Sequence, residues 1–171
     1  SYGNVYVCLY DGYCRRWAHG TTAPDATWHC TTRCWQATVI ERVLVIGAGG
    51  FIGQALCRAL ISQGTRVRAV SRSGHYPNPA AEEHIASDCH DPSELTTLLD
   101  GVGAVVYLAA ASTPGSTAGK PSAELGGNLA PLVATLEALQ TQPSIPLVYF
   151  SSAGALYDER SAVASRETDL P

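Results

Sequence analysis

The 171-residue sequence contains no methionine, only one lysine and no apolar run of about 18 residues. Because translation starts at methionine, we expect a chain that has been processed, trimmed or cut from a longer one. The lack of a long apolar run predicts that no segment spans a membrane. The first residues also lack the basic start and apolar stretch of a signal peptide, so we expect a cytoplasmic protein.

Charged residues are also few. They make up 15% of the chain, against 46% hydrophobic residues, and the formal net charge is −4. This composition is typical of a globular domain and excludes intrinsic disorder. The negative balance argues against a nucleic-acid partner, because proteins that bind nucleic acids usually carry a basic patch.

The first 40 residues differ in composition from the rest. They hold all three tryptophans and four of the six cysteines, namely Trp17, Trp28, Trp35, Cys8, Cys14, Cys30 and Cys34. Apart from a short alternation in 5–10 they show no sustained helix or strand period. We therefore predict an irregular leader over 1–40, disordered or not native to the domain, and one domain over 41–171.

Two sharper interpretations of this leader stay open. The four cysteines, with His19 or His29, could form a zinc module, but the C-x5-C spacing is wider than in most structural zinc sites. They could instead pair as disulfides, although thiols stay reduced in the cytosol. We favour a poorly ordered extension, and we predict no metal site.

Strands and helices alternate from residue 41 onward. The nearly continuous apolar run Arg42–Ile46 predicts a strand buried on both faces. A helix follows, ends at Gly64, and carries an apolar stripe at Ile52, Ala55, Leu56, Ala59 and Leu60. Further strands are predicted over 66–71, 84–87, 104–109 and 147–151, and further helices over 92–99 and 122–140. The alternation predicts an α/β fold, a Rossmann-like parallel sheet of order 3-2-1-4-5 with helices on both faces.

A glycine motif joins the first of these strands to its helix. Gly47, Gly50 and Gly53 have the spacing G-x-x-G-x-x-G, which suits a tight turn, the close approach of a pyrophosphate and close packing of helix on sheet. The helix N-terminus offers free N–H groups to phosphates. We therefore predict that Gly47, Gly50, Phe51, Ile52 and Gly53 bind a dinucleotide. The alternative is a purely structural glycine-rich turn.

Two later positions bear on which dinucleotide binds. At the end of the second strand, an acid would hydrogen-bond the ribose 2′-hydroxyl of NAD, but Ser71 and Arg72 stand there. We therefore favour NADP over NAD, unless Arg72 is an ordinary surface arginine. Asp88, just past the third strand, could accept a hydrogen bond from the adenine amino group. It could instead be a loop or capping residue before Pro92.

Residues 42–171 resemble the N-terminal part of an extended short-chain dehydrogenase/reductase. The resemblance is to the NAD-dependent epimerase/dehydratase family, and within it to UDP-glucose 4-epimerase-like enzymes. Four segments carry it: VLVIGAGGFIG (43–53), SDCHDPSELTTLLDGVGAVVYLAAAS (87–112), NLAPLVATLEAL (128–139) and LVYFSSAGALYD (147–158). It implies a fold truncated before the C-terminal subdomain, reversible hydride transfer at a sugar carbon, a nucleotide-sugar substrate and tightly bound NAD or NADP. It also allows a homodimer.

The resemblance further implies roles for individual residues. Ala109 and Ala110 would lie beside the cofactor. Asn128 would be a structural or cofactor-proximal polar residue, or simply a polar residue of a helix face. Ser151 would lie on the cofactor side, and Ser152 would be catalytic by polarising the reacting sugar oxygen. Both serines could instead be ordinary hydrogen-bonders at a strand end.

The family's acid–base pair, Tyr-x-x-x-Lys, is not found in this sequence. The single lysine is Lys120, and Ser116 precedes it by four residues. Tyr157 corresponds to a packing or substrate-side tyrosine of the family and not to its base. We therefore expect the 171-residue chain to be inactive. Two alternatives to the epimerase hypothesis remain, an NADP-dependent reductase of small carbonyl compounds and a non-catalytic dinucleotide-binding or redox-sensing module.

Overall fold

The structure is a computed structural model that describes residues 40–74, 81–112 and 119–150, together with the backbone of two strands nearer the N-terminus. Ser151, Ser152 and Tyr157 lie outside the described residues. The side chains of the leader, including all proposed zinc ligands, lie outside them as well. Within the described part, no helix is long and apolar enough to cross a membrane.

The described strands form one sheet with the order β2-β1-β7-β6-β3-β4-β5. These strands are β1 (Val5–Cys8), β2 (Cys14–Trp17), β3 (Arg42–Ile46), β4 (Arg66–Ser71), β5 (Glu83–Ala86), β6 (Ala104–Tyr107) and β7 (Leu147–Phe150). Strands β3 to β7 pair in parallel throughout. Counted from β3, their order is 3-2-1-4-5, so the predicted topology is confirmed.

Helices cover both faces of this sheet. They are α1 (Phe51–Ser62), α2 (Pro92–Leu98), α3 (Pro121–Glu124) and α4 (Ala130–Leu139). In the central strand β3, Leu44 and Ile46 face a core that includes residues of α2 and α4. Val43 and Val45 face a second core that includes residues of α1. Burial on both faces explains why β3 reads as a continuous apolar run.

The buried face of α1 differs from the predicted stripe. Gly53 and Cys57 are its buried residues, while Ile52, Ala55 and Ala59 are exposed. The helix presses its smallest residue against the turn that follows β3, and this close approach selects the face one position further along. The two leucines of the predicted stripe, Leu56 and Leu60, still pack against the second core, so the predicted orientation is off by one position.

The predicted end of α1 at Gly64 is confirmed. Gly64 has a positive φ of 82°. Its N–H donates to the Ile61 carbonyl at 3.0 Å, and the Thr65 N–H donates to the Leu60 carbonyl at 3.0 Å. These are the two hydrogen bonds of a Schellman motif.

The helix predicted over 122–140 changes its winding along its length. It begins as α3, becomes a π-helical segment over Leu125–Leu129, and continues as α4. Pro131 has no N–H to donate within the helix, and the Ala130 N–H reaches back five residues to Leu125. The widened turn places two consecutive glycines, Gly126 and Gly127, at the surface next to the loop after β6.

Two short strands lie in the leader. β1 pairs in parallel with β7, and β2 pairs antiparallel with β1. β1 falls within the only alternation that the sequence shows there. The division of the chain near residue 40 stays a prediction.

A carboxylate lies between two arginines at the amino-terminal edge of the sheet. Arg42 donates to Glu82 at 3.0 and 3.1 Å, and Arg66 Nε donates to the same carboxylate at 2.9 Å. These hydrogen bonds, that of Arg66 first, lower the pKa of Glu82 from 4.5 to about 2. The cluster links the starts of β3 and β4 to the segment before β5.

This lowered pKa predicts a loss of stability in acid. A carboxyl whose pKa is lower in the folded state stabilises the fold above its unfolded pKa and loses that contribution as the pH falls through the folded value. We expect Glu82→Gln to be less stable than the wild type at pH 7, with the difference closing as the pH falls from 4.5 toward 2. Urea unfolding across this range tests it. Glu137→Gln, which removes an exposed carboxylate from α4, should show no such convergence.

Candidate nucleotide-binding groove

A groove of about 760 Å³ opens at the carboxyl ends of β3, β4 and β6. In parallel α/β sheets this edge is where ligands bind. Ile46 and Val70 form part of its floor, and the loops after the three strands form its walls. Residues from the ends of β3 and β4 and from the loops after β5 and β6 line it together with Gly127 and Pro131.

At the first and third glycines of the motif, the turn after β3 is packed as tightly as the sequence predicts. Gly47 has a φ of 92°, and a Cβ there would lie 2.7 Å from the backbone nitrogen of Ala109. A Cβ on Gly53 would lie 2.3 Å from the Gly47 carbonyl oxygen and 2.8 Å from the Ala48 Cα. Packing within the protein therefore excludes side chains at both positions.

Gly50 is different, because the protein itself does not require glycine there. Its φ of −75° and ψ of 170° suit any residue. A Cβ would meet only the Gly47 carbonyl oxygen, at 3.4 Å. Gly50 is exposed and lines the groove, so the space left by its missing side chain belongs to the groove.

The N-terminus of α1 begins at this open position. No side chain caps it, and its first turn contains no acidic residue. The first N–H groups of a helix have no intrahelical acceptor and carry partial positive charge, so they favour an anion. The side chains of Phe51 and Ile52 are 93% and 45% exposed and do not line the groove. Only their backbone N–H groups would face a phosphate bound there.

The end of β4 supplies a positive charge to the groove. Ser71, Arg72 and Ser73 line it and form a turn closed by a 3.1 Å hydrogen bond from the Gly74 N–H to the Ser71 carbonyl. Arg72 is exposed. This turn carries hydroxyls and a guanidinium, and no carboxylate, next to the groove.

Asp88 and His90 lie on the loop after β5, at the groove's rim. The Asp88 Oδ1 accepts hydrogen bonds from the His90 backbone N–H and from the His90 Nδ1, both at 3.2 Å. These two contacts, the backbone one first, lower the pKa of Asp88. The side chains are 68% and 46% exposed, respectively. Asp88 therefore lines the groove, and it is held by a histidine that no sequence pattern indicated.

The same histidine reaches the opposite wall. Its Nε2 lies 2.9 Å from the carbonyl oxygen of Gly126 in the π-helical segment. This hydrogen bond raises the pKa of His90 above 6.5; burial, the next largest effect, opposes it, and the contact with Asp88 adds to the rise. A loop and a helix 36 residues apart in sequence meet through one imidazole.

Asn128 fixes the loop after β6. Its Oδ1 accepts from the Ala111 N–H at 2.7 Å, and its Nδ2 donates to the Ser112 hydroxyl at 2.7 Å and to Glu124. All of its polar atoms are thus used by the protein, and Asn128 does not line the groove. Of the two roles that the resemblance implies, the geometry supports the structural one.

The structure thus gathers most of the predicted residues at one groove. Those that line it are Gly47, Gly50, Ser71, Arg72, Asp88, Ala109 and Ala110. Those that lie next to it without lining it are Phe51, Ile52, Gly53 and Asn128. Among the described residues, no three metal-ligating side chains come together.

A model of the NAD dependent epimerase/dehydratase family matches residues 43–171 of the chain. Among curated proteins, the 2-alkyl-3-oxoalkanoate reductase of Stenotrophomonas maltophilia is 43% identical over 68 residues. The match covers 39% of this chain and 20% of that protein.

Solved structures are similar over a longer stretch. The UDP-N-acetylglucosamine 4-epimerase of Bacillus cereus is 32% identical, with a TM-score of 0.60 over 76% of this chain and 45% of that one. A UDP-glucose-4-epimerase of Stenotrophomonas maltophilia, with bound NAD and formylated UDP-arabinopyranose, is 26% identical, with a TM-score of 0.63 over 76% and 42%. The chain therefore spans less than half of these structures and a fifth of the reductase.

Proposed function

The chain belongs to the NAD dependent epimerase/dehydratase family, and from this premise we propose that its groove binds the pyrophosphate of NAD(P) at the N-terminus of α1. The open space at Gly50 is the observation that carries the proposal. A glycine that neither backbone conformation nor packing demands leaves room for a ligand. The structure with bound NAD noted above supports the same cofactor class.

Each wall of the groove would hold a different part of the dinucleotide. The uncapped N–H groups of α1 would bind the phosphates. Arg72 would face the adenosine ribose, and Asp88 would accept from the adenine amino group. Ala109 and Ala110 would flank the nicotinamide side, where small residues leave room for a flat ring. When bound, the cofactor supplies a hydride acceptor and donor.

We place the reacting sugar beyond the end of β7. The descriptions of the solved relatives name UDP-sugars, and we propose nucleotide sugars as the substrate class of the whole protein. Ser152 would donate a hydrogen bond to the oxygen on the sugar carbon from which the hydride departs, with Ser151 on the cofactor side. Because the acid–base pair Tyr-x-x-x-Lys is not among these 171 residues, we expect this chain to bind the dinucleotide without converting UDP-glucose to UDP-galactose.

We propose that NADP binds more tightly than NAD, because Arg72 can meet the 2′-phosphate. Isothermal titration should give about tenfold tighter binding of NADP+ than of NAD+, as expected for one charge-assisted hydrogen bond. Arg72→Gln should remove the preference and leave NAD+ affinity within about twofold. Arg58→Gln, which removes an exposed arginine of α1 outside the groove, should keep it. Equal affinity for both nucleotides in the wild type would contradict the preference.

A second candidate is a reductase of small carbonyl compounds. The 43% identity to the 2-alkyl-3-oxoalkanoate reductase over 68 residues and the guanidinium at the groove both favour it. The two candidates differ in how they hold the cofactor. Nucleotide that remains bound after gel filtration favours the epimerase, and NADPH that exchanges freely favours the reductase.

A further inference from the structure

His90 joins the two walls of the groove at the end that faces Asp88. One ring nitrogen contacts the Asp88 carboxylate at 3.2 Å, and the other contacts the Gly126 carbonyl at 2.9 Å. Both acceptors can be satisfied together only when both ring nitrogens carry a proton, because a neutral imidazole has a single N–H. The protonated ring is therefore the form that can hold both walls at once.

The contact with His90 also orients the carboxylate. Both hydrogen bonds from His90 end on Oδ1 of Asp88. Asp88 lines the groove, and its side chain is 68% exposed. One oxygen is thus used to hold the side chain while the other can accept from a ligand.

We propose that His90 is a positioning residue for the adenine subsite, holding the Asp88 carboxylate so that its second oxygen accepts a hydrogen bond from the 6-amino group. The inference rests on the proposed nucleotide site and adds a pH dependence to it. When His90 loses its proton, the ring cannot donate to both Asp88 and Gly126. A ring whose one remaining N–H stays on Gly126 leaves the Asp88 Oδ1 held only by the backbone N–H of His90, and the affinity for adenine dinucleotides falls.

Few other groups act on this histidine. On its own loop the charged neighbour is Asp88, and the π-helical segment presents the Gly126 carbonyl. Cys89 lies between Asp88 and His90, but burial raises the pKa of its thiol above 9.0. Among the described groups, His90 is therefore the one whose protonation near neutral pH changes the contacts of Asp88 and Gly126.

Isothermal titration of the whole chain with NAD+ between pH 6.0 and 8.0 tests the inference. We expect the affinity to fall about threefold over this range, as for a partly exposed ion pair. The matched ligand is nicotinamide hypoxanthine dinucleotide, which lacks the 6-amino group. Its affinity should change less than twofold over the same range, because Asp88 has no amino group to accept from.

Two isosteric variants separate positioning from simple packing. The amide nitrogen of His90→Asn can replace Nδ1 and donate to Asp88, so this variant should keep the affinity of the wild type at pH 6.0, with no dependence on pH. The amide of His90→Gln can replace Nε2 toward Gly126 but not Nδ1. It should bind NAD+ about threefold more weakly at every pH, with unchanged affinity for the hypoxanthine analogue.

The outcomes are distinguishable from those that test the proposed function. A wild type that binds neither dinucleotide at any pH overturns the proposed site and this inference with it. Alternatively, NAD+ binds with a pH dependence that persists in both variants or that appears equally with the hypoxanthine analogue. Either result overturns the role proposed for His90 and leaves the proposed nucleotide site intact.

Discussion

Gly50→Asp is expected to weaken NAD+ binding about 100-fold while leaving the fold intact. The backbone at residue 50 suits aspartate, and a Cβ there meets no protein atom closer than 3.4 Å. Residue 50 is also the N-cap of α1, where aspartate is among the preferred residues. The free energy of unfolding should therefore rise by up to about 1 kcal/mol.

Most of the loss of binding would come from charge, added to the loss of the space that Gly50 leaves for the ligand. Two like charges about 5 Å apart repel by about 3 kcal/mol at an effective dielectric constant of about 20, which corresponds to about 100-fold in affinity. Gly50→Asn is the matched control, because it has the same shape and capping ability without the charge. It should also lose affinity, because it fills the same space, but less than Gly50→Asp. If both variants bind NAD+ like the wild type, no phosphate lies at this helix end.

Gly53→Ala is expected to have the opposite consequence, a loss of stability of about 3 kcal/mol. Its Cβ would lie 2.3 Å from one backbone atom of the β3 turn and 2.8 Å from another, and neither can move away as a side chain could. The helix or the turn must shift, and with it the packing of Cys57 against the sheet. Urea unfolding and soluble yield measure the effect.

Gly126→Ala is the stability control for this variant. A Cβ at Gly126 meets nothing within 4 Å, so the added methyl group should raise helix propensity and stabilise by up to about 1 kcal/mol. If Gly53→Ala unfolds at the same urea concentration as the wild type, the claim that close packing of α1 on the turn requires glycine at residue 53 is wrong.

Local sequence patterns were sufficient for the parts of the fold that depend on neighbouring residues. The strand–turn–helix from Arg42 to Ser62 and the helix end at Gly64 follow from burial pattern and glycine spacing over a few residues. The order of the five parallel strands follows from alternating elements with right-handed connections.

The sequence was less informative where two distant segments meet. The contact of His90 with Gly126 joins residues 36 apart, and nothing in the spacing of a histidine and a backbone carbonyl indicates it. Two adjacent glycines before Pro131 were the visible signal of an irregular helix, and the prediction of one continuous amphipathic helix did not use it. The buried face of α1 was predicted one position off, because the close approach of Gly53 to the turn after β3 sets the helix orientation together with the apolar pattern.

We propose the groove at the carboxyl ends of β3, β4 and β6 as the nucleotide site. Backbone amide chemical shifts, measured by NMR as NAD+ is added to the 171-residue chain, test it most directly. We predict that the largest changes fall on 47–53, 71–73, 88–90 and 109–111. The absence of changes at saturating NAD+, or changes centred on the Arg42–Arg66–Glu82 cluster at the opposite edge of the sheet, would contradict it.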